Sequence, residues 1–374
     1  MADEKRITTR SVQFHASSAK LPHKARGAVT QIAGRFEKTE REGWDDGWMR
    51  DDEPLPPLQT TVTDERARSI LSTNQSPDIP FDRSINPYRG CEHGCVYCYA
   101  RQTHAYLELS PGLDFETKLF AKKNAVELLR EELTRAAYTP QPIAFGTNTD
   151  AYQPIERRYR IMRELLELLC ACEHPLTIVT KSALVERDID LLAPMARKRL
   201  AKVFVSVNTL DHALARRLEP RAASPARRIA TLKALSEADI PCGVMVAPMI
   251  PGLTDKSVEE VLEAAAAAGA KAAGWIMLRL PFEVKPLFKE WLAAHYPLRA
   301  DHVMSIVRDV RGGRENDPRF GARMKGGGNY AELIAKRFEL ACRKLGLNAE
   351  RRGEAELDCS LFRPPTAGRQ MSLF

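Results

Sequence analysis

Residues 91–98 read Cys-Glu-His-Gly-Cys-Val-Tyr-Cys. The thiols of Cys91, Cys95 and Cys98 stand at a C-x3-C-x2-C spacing on one short polar loop. A cubane iron–sulfur cluster held entirely by protein takes four thiolates. Three close cysteines with no fourth at hand leave one iron open. An open metal position marks chemistry rather than scaffolding, as catalytic zinc sites show by analogy. A zinc site is the competing reading, but it expects C-x2-C pairs followed by a second pair at a distance. Cys170 and Cys172 are only one residue apart within a predicted helix. Tyr97 and Tyr99 flank the third cysteine of the loop.

Downstream of about residue 84, short apolar runs alternate with helical patterns. The runs are Ser84–Tyr88, Pro142–Thr147, Leu176–Thr180, Lys202–Val207, Cys242–Ala247 and Gly274–Leu280. Near-continuous apolar runs of this length predict parallel strands buried on both faces. Amphipathic stretches Lys123–Ala137 and Arg157–Cys172 predict helices between them. Ser224 followed by Pro225 is a helix start, Lys256–Ala268 closes at Gly269, and Asn329–Leu345 closes at Gly346. Six β/α units with right-handed crossovers are too few to close an eight-stranded barrel. The expectation is a partial, open (β/α)6 barrel of α/β class, its active site at the carboxyl ends of the strands. The predicted organisation is an extension over 1–75, a core over 76–300, a basic Gly/Arg-rich segment and helix over 301–346, and a flexible tail over 347–374. Trp44, Trp48 and Phe36 are expected to order part of the extension against the core.

The chain has 374 residues, 44% hydrophobic and 28% charged, the composition of an ordinary globular protein. The apolar stretch Val261–Leu280 is broken by Lys271 and Arg279, so no membrane span is predicted. The charged N-terminus predicts no secretory signal. Eight cysteines, three of them clustered, suit a reducing cytoplasm. The net charge of +7 equals the excess within Arg197–Arg228, where nine basic residues face two acidic ones. A second run, Arg308–Lys325, holds six basic and three acidic residues. Clustered Arg and Lys point to a polyanion such as nucleic acid; a solvated helix face is the alternative.

Polar residues just past the second, third and fourth predicted strands face one mouth. Asn148 and Asp150 suit the ammonium of a ligand, although both residue types also favour turns. Lys181 suits a carboxylate, and Ser206 and Asn208 offer a hydroxyl and an amide.

The loop at Cys91–Cys98 resembles, residue for residue, that of the radical S-adenosylmethionine enzymes. Residues 80–120, Thr149–Glu156, Thr180–Ser182, Leu218–Arg221 and Ala247–Gly252 are similar to the family named for spore photoproduct lyase, in a bacterial subgroup with a long N-terminal extension. The resemblance spans roughly residues 60–346. It implies a [4Fe-4S] cluster on Cys91, Cys95 and Cys98. Its open iron chelates S-adenosylmethionine, and one electron releases a 5′-deoxyadenosyl radical. Tyr97 would lie near the adenine, Asn148 and Asp150 near the amino group, and Lys181 and Ser206 at the carboxylate, with the Asn208 amide offered to the same ligand. Tyr99 would belong to a hydrogen-transfer path. An electron donor such as flavodoxin or ferredoxin and a DNA substrate, for repair or base modification, are also implied. One departure stands out: relatives of the lyase return hydrogen from a cysteine between the loop and the second strand, and this chain has none from Tyr99 through Leu169. Cys242 is the other barrel-strand thiol considered for the mouth, with a buried structural role as its alternative. RNA or a protein side chain is a second substrate class, and a metal-binding nucleic-acid adaptor is the non-enzymatic reading.

The chain ends Gln370-Met371-Ser372-Leu373-Phe374. This resembles the short motif by which bacterial repair proteins bind the DNA-polymerase sliding clamp. Gln370 would hydrogen-bond at a rim, and Met371, Leu373 and Phe374 would fill an apolar pocket.

Overall fold

The computed structural model describes residues 23–37, 58–349 and 356–365. Its strands are β1 (Thr61–Glu65), β2 (Leu71–Thr73), β3 (Arg83–Ile85), β4 (Tyr88–Arg89), β5 (Lys118–Lys122), β6 (Ile143–Phe145), β7 (Leu176–Thr180), β8 (Ala201–Ser206), β9 (Cys242–Met249) and β10 (Ala272–Met277). A seven-stranded sheet runs in the order β10-β9-β8-β7-β6-β3-β2. All its pairs are parallel except β2 with β3. The six apolar runs are thus the six parallel strands of an open partial barrel, with consecutive strands adjacent and their carboxyl ends on one rim. Ile143, Phe145, Ile178, Val203, Val205 and Val244 are fully buried among the helices that cover the sheet.

The first predicted strand, Ser84–Tyr88, divides in two. Pro87 has no N–H for a ladder, and after Asn86 the chain leaves β3. It continues as β4, antiparallel to β5 in a smaller sheet ordered β1-β5-β4. That second sheet carries the chain into the cysteine loop.

Helix starts and stops follow their local signals. Ser224 Oγ accepts from Arg227 N at 3.3 Å at the head of helix Pro225–Glu237. Gly346 adopts φ +67° at the end of helix Gly328–Leu345. The helix predicted over Arg157–Cys172 is interrupted at Arg160, whose φ of +54° separates Glu156–Tyr159 from Ile161–Ala171.

Helix Val284–His295 follows β10 and builds a second core beneath the cysteine loop. Phe288 and Trp291 pack there with Val96, Leu218, Leu280, Val303 and Val307. Trp291 Nε1 donates to Arg217 O at 3.0 Å. Residues 356–365, predicted as part of a flexible tail, lie against the main core instead. Phe362 sits 5.2 Å from the His174 ring and 5.5 Å from the Tyr138 ring, and Arg363 N donates to Cys172 O at 2.9 Å. Trp44, Trp48 and the terminal pentapeptide lie outside the described residues; Phe36 stacks on Tyr106 at 5.1 Å.

Candidate active site

The cysteine loop is held by backbone hydrogen bonds, and Val96 anchors it in the core beneath. Cys91 N donates to Phe115 O at 2.9 Å, Val96 N to Leu218 O at 3.1 Å and Cys98 N to Cys95 O at 3.2 Å. Gly94 turns the loop at φ +68°, where a Cβ would come within 2.7 Å of Glu116 Oε2. The guanidinium of Arg101, fully buried, donates to Cys95 O at 2.9 Å, Gly94 O at 3.2 Å, Gly112 O at 2.8 Å and Pro111 O at 3.1 Å, and it pairs with Glu116. Glu116 also accepts from the backbone N–H groups of Gly27 at 2.9 Å and Ala28 at 2.8 Å. The segment 23–37 is therefore stitched onto the underside of the loop through one carboxylate.

Neighbouring strand ends hold the sides. Glu92 N donates to Gln153 Oε1 at 2.9 Å, and the Glu92 carboxylate accepts from Arg221 at 2.8 Å and from Thr60 Oγ1 at 2.7 Å. His93 Nδ1 lies 3.3 Å from Asp150 Oδ2. Asp150 also accepts from Thr180 Oγ1 and Lys181 N, both at 2.8 Å, and from Tyr152 N at 2.9 Å. Burial would raise its carboxyl, but the His93 ring and these donors hold it down at about 2. Both Asp150 oxygens are thus engaged in tying the β6 end to β7 and to the loop, which makes it a scaffold group here.

The remaining predicted residues line the same mouth. Tyr97 donates its hydroxyl to Glu219, which also pairs with the buried Arg228. The Lys181 ammonium lies 5.9 Å from the Tyr97 ring centroid. Burial would lower it, but Cys95 and Glu219 hold it above the ordinary lysine value. Asn148 is half-buried beside Asn86, whose Oδ1 accepts from Asn148 N at 2.9 Å. Ser206 and Asn208 are buried at the β8 end, and both amide atoms of Asn208 lack a partner. Tyr99 donates to Thr147 O and is 39% exposed at the rim.

Cys242 does not belong to this group. It opens β9, opposite Val203 and at the far end of the strands from the mouth. Its Sγ lies 3.6 Å from Leu232 O and 4.0 Å from Gly269 O, among the covering helices. A hydrogen-transfer role for Cys242 is therefore withdrawn; it is a buried structural thiol. Arg101, Glu116, His93 and Gln153 stood inside quoted segments, but no role was read for them. Glu219 and Arg221 stood inside a quoted motif without a role. Spacing along the chain carries no signal for a carboxylate that acts 15 residues from its arginine partner.

The donor set fits a cluster: three thiols share one loop, and a buried amide without a partner faces the same mouth. Among the described residues, no three His, Cys, Asp or Glu side chains converge on a single metal ion; in a cubane, each thiolate takes a different iron. Among the described residues, no helix is long and apolar enough to cross a membrane.

The family model of the Radical SAM superfamily matches residues 85–265. The uncharacterized protein Rv2578c of Mycobacterium tuberculosis is 40% identical over 232 residues, 62% of this chain and 68% of the relative. The uncharacterized protein MJ0683 of Methanocaldococcus jannaschii is 30% identical over 190 residues, 51% of this chain and 68% of its own length. Spore photoproduct lyase complexed with dinucleoside spore photoproduct superposes with a TM-score of 0.55 at 16% identity, over 76% of this chain and 80% of the lyase. That likeness is one of fold.

Proposed function

This chain belongs to the radical SAM superfamily, and from that premise we propose that it is a [4Fe-4S] enzyme acting on DNA, in repair or base modification. The observation that carries the reading is the joining of Cys91, Cys95 and Cys98 to Lys181 and the unpartnered Asn208 at the mouth of a six-strand parallel barrel. The three cysteines would hold the cluster. Lys181 would pair with the carboxylate of S-adenosylmethionine, and Ser206, Asn208 and Asn148 would hydrogen-bond its polar groups. Asp150, fully engaged, would position His93 and the β7 end rather than receive the ammonium itself. When bound, cluster and cofactor supply a 5′-deoxyadenosyl radical.

A nucleic-acid substrate is supported by the shared fold with a lyase solved with a dinucleoside lesion. The excess of basic residues over Arg308–Lys325 supports it as well. Thymine-dimer lyase chemistry with a cysteine hydrogen donor is not proposed, because the expected cysteine is missing and Cys242 lies at the wrong end of the barrel. Tyr99, at the rim, is the candidate for hydrogen transfer. The terminal Gln370-Met371-Ser372-Leu373-Phe374 would bind the sliding clamp.

The test is anaerobic reconstitution followed by reaction with S-adenosylmethionine, dithionite and either irradiated or intact DNA. Visible absorbance that bleaches on reduction, together with 5′-deoxyadenosine formation raised by DNA, is expected. Cys91→Ala, Cys95→Ala and Cys98→Ala should each lose both. Turnover stimulated by RNA or by a peptide, but not by DNA, would move the substrate class.

A further inference from the structure

Among the described residues, the fully buried arginines Arg101 and Arg228 are saturated. Arg101 has its carbonyls and Glu116, and Arg228 has Glu219 and two carbonyls. Arg311, although its Nε also has no partner, is held by three carbonyls: it donates to Leu278 O at 2.6 Å, Met277 O at 3.3 Å and Ala322 O at 2.7 Å, clamping the end of β10. Arg279, two residues past that strand end, is different. Its Nε is buried without a partner, and its Nη1 reaches only Met324 Sδ, at 3.9 Å. No carboxylate pairs with it among the described residues.

The surroundings add positive charge. Burial disfavours the charge on Arg279, as does Arg323 close by, and Tyr99 and Asp78 only partly offset them. Arg311, in turn, is repelled by Arg279. The carboxylate of this group, Asp78, is committed to Arg323 through contacts of 2.7 and 2.5 Å and to Gly321 N at 3.1 Å. Asp317 is held by Arg319. Three guanidiniums thus face two carboxylates, Asp78 and Asp317, each already engaged by an arginine other than Arg279. A half-buried, unpaired guanidinium is unfavourable unless an anion joins it. The Arg279 guanidinium lies 5.3 Å from the ring centroid of Tyr99, the rim residue next to Cys98. An anion on Arg279 would therefore sit within reach of the mouth but off the Lys181 side of it.

We propose that Arg279, backed by Arg323, is a phosphate-binding site that anchors the backbone of the nucleic-acid substrate beside Tyr99. Planar bidentate contact to a phosphodiester is the chemistry for which guanidinium is suited. The proposal rests on the nucleic-acid reading above. Arg279 carries the contact, Arg323 contributes field, and Arg311 holds the strand end beneath them.

The full-length protein is titrated by fluorescence anisotropy against a labelled single-stranded 12-mer, as DNA and as RNA, over a range of salt. Tripolyphosphate is added separately while thermal melting is followed. Arg279→Gln should weaken binding of the preferred oligonucleotide about tenfold and flatten its salt slope by about 0.7, the loss of one phosphate contact on a single strand. Arg279→Lys should keep the slope and lose part of the affinity. Arg130→Gln, on the far side of the barrel, should match wild type. Without ligand, Arg279→Gln should melt at or above the wild-type temperature, because it removes an unpaired charge. Tripolyphosphate should raise the melting temperature of wild type but not of Arg279→Gln. If it does so while neither oligonucleotide binds, the anion site stands and the nucleic-acid reading falls. If wild type and Arg279→Gln respond alike to both probes, including not at all, or if the variant melts lower with binding unchanged, the anion site is overturned.

Discussion

Glu116 shows what a single buried carboxylate does for the cysteine loop. It neutralises Arg101, which in turn holds two carbonyls of the loop, Gly94 O and Cys95 O, together with Pro111 O and Gly112 O, and it receives two N–H groups from the segment 23–37. Removing one partner of a buried pair leaves the other charge uncompensated, at a cost of about 3–5 kcal/mol. Glu116→Gln should lower stability on that scale in a urea titration and reduce the iron retained after anaerobic reconstitution. Wild-type midpoint and iron content in this variant would show that the pair does not hold the loop. The three cysteines were legible because their pattern is local to eight residues. Ser206, Asn208 and Lys181 were legible because strand ends can be counted. Glu116 and Arg101 were not, because a charge buried by tertiary packing looks on paper like any solvated Glu or Arg.

Among elements, the parallel strands were legible from apolar runs, and helix ends from Ser224-Pro225, Gly269 and Gly346. β1 and β2 were not, because an exposed or half-buried edge strand such as Thr-Val-Thr-Asp-Glu carries little hydrophobic pattern, and β5, central in the smaller sheet, was not, because its apolar run is only three residues between two lysines. Pro87 could have signalled the division of the first strand. The path of the segment 23–37 was also hidden, and Gly27 decides it. A Cβ there would stand 1.7 Å from Gly94 O, a backbone atom that cannot yield without moving the cysteine loop. Gly27→Ala should detach the segment, so that trypsin cuts at Arg26 or Arg35 severalfold faster and the reconstituted cluster bleaches faster in air. Gly327→Ala is the control: its φ is −148° and no heavy atom lies within 4 Å of the added carbon. Equal proteolysis of the two variants would remove the segment from any role in covering the loop.

Across the whole molecule, the charge count misled where partners come from far along the chain. The excess over Arg197–Arg228 is largely answered by Glu92, Glu173, Glu186 and Asp358, which pair with Arg221, Lys198, Arg227 and Arg199. Arg279, outside both basic runs, is a half-buried guanidinium with no carboxylate partner among the described residues. The last described segment is likewise fixed by long-range contacts, and His174 reports on it. Its Nδ1 donates to Pro175 O at 3.0 Å, so Nε2 must accept from the Tyr138 hydroxyl at 2.7 Å. Burial pushes the ring down to about 4. The unfolded chain therefore takes up the proton first: this stability is complete above pH 6.5 and is lost as pH falls toward 4. Between pH 7 and pH 5 the loss is about 2 kcal/mol. Thermal melting of wild type should fall more steeply over that interval than melting of His174→Gln; parallel curves would mean that His174 titrates freely. The anchor also fixes where the last described segment, residues 356–365, lies. Arg363 N is bonded to Cys172 O, just before β7 begins, on the face opposite the mouth. A clamp bound at Gln370–Phe374 would then not compete with a substrate at the rim. The labelled terminal peptide should bind purified clamp at roughly micromolar affinity, about −8 kcal/mol. Leu373→Ala with Phe374→Ala should abolish that binding, since each side chain buries roughly 1.5–3 kcal/mol of apolar surface. Deleting residues 370–374 should leave 5′-deoxyadenosine formation unchanged, and in the full chain, clamp and oligonucleotide should bind together. Equal binding by the double variant would reduce the pentapeptide to a chance match, and mutual exclusion of clamp and oligonucleotide would show that the terminus reaches round to the mouth.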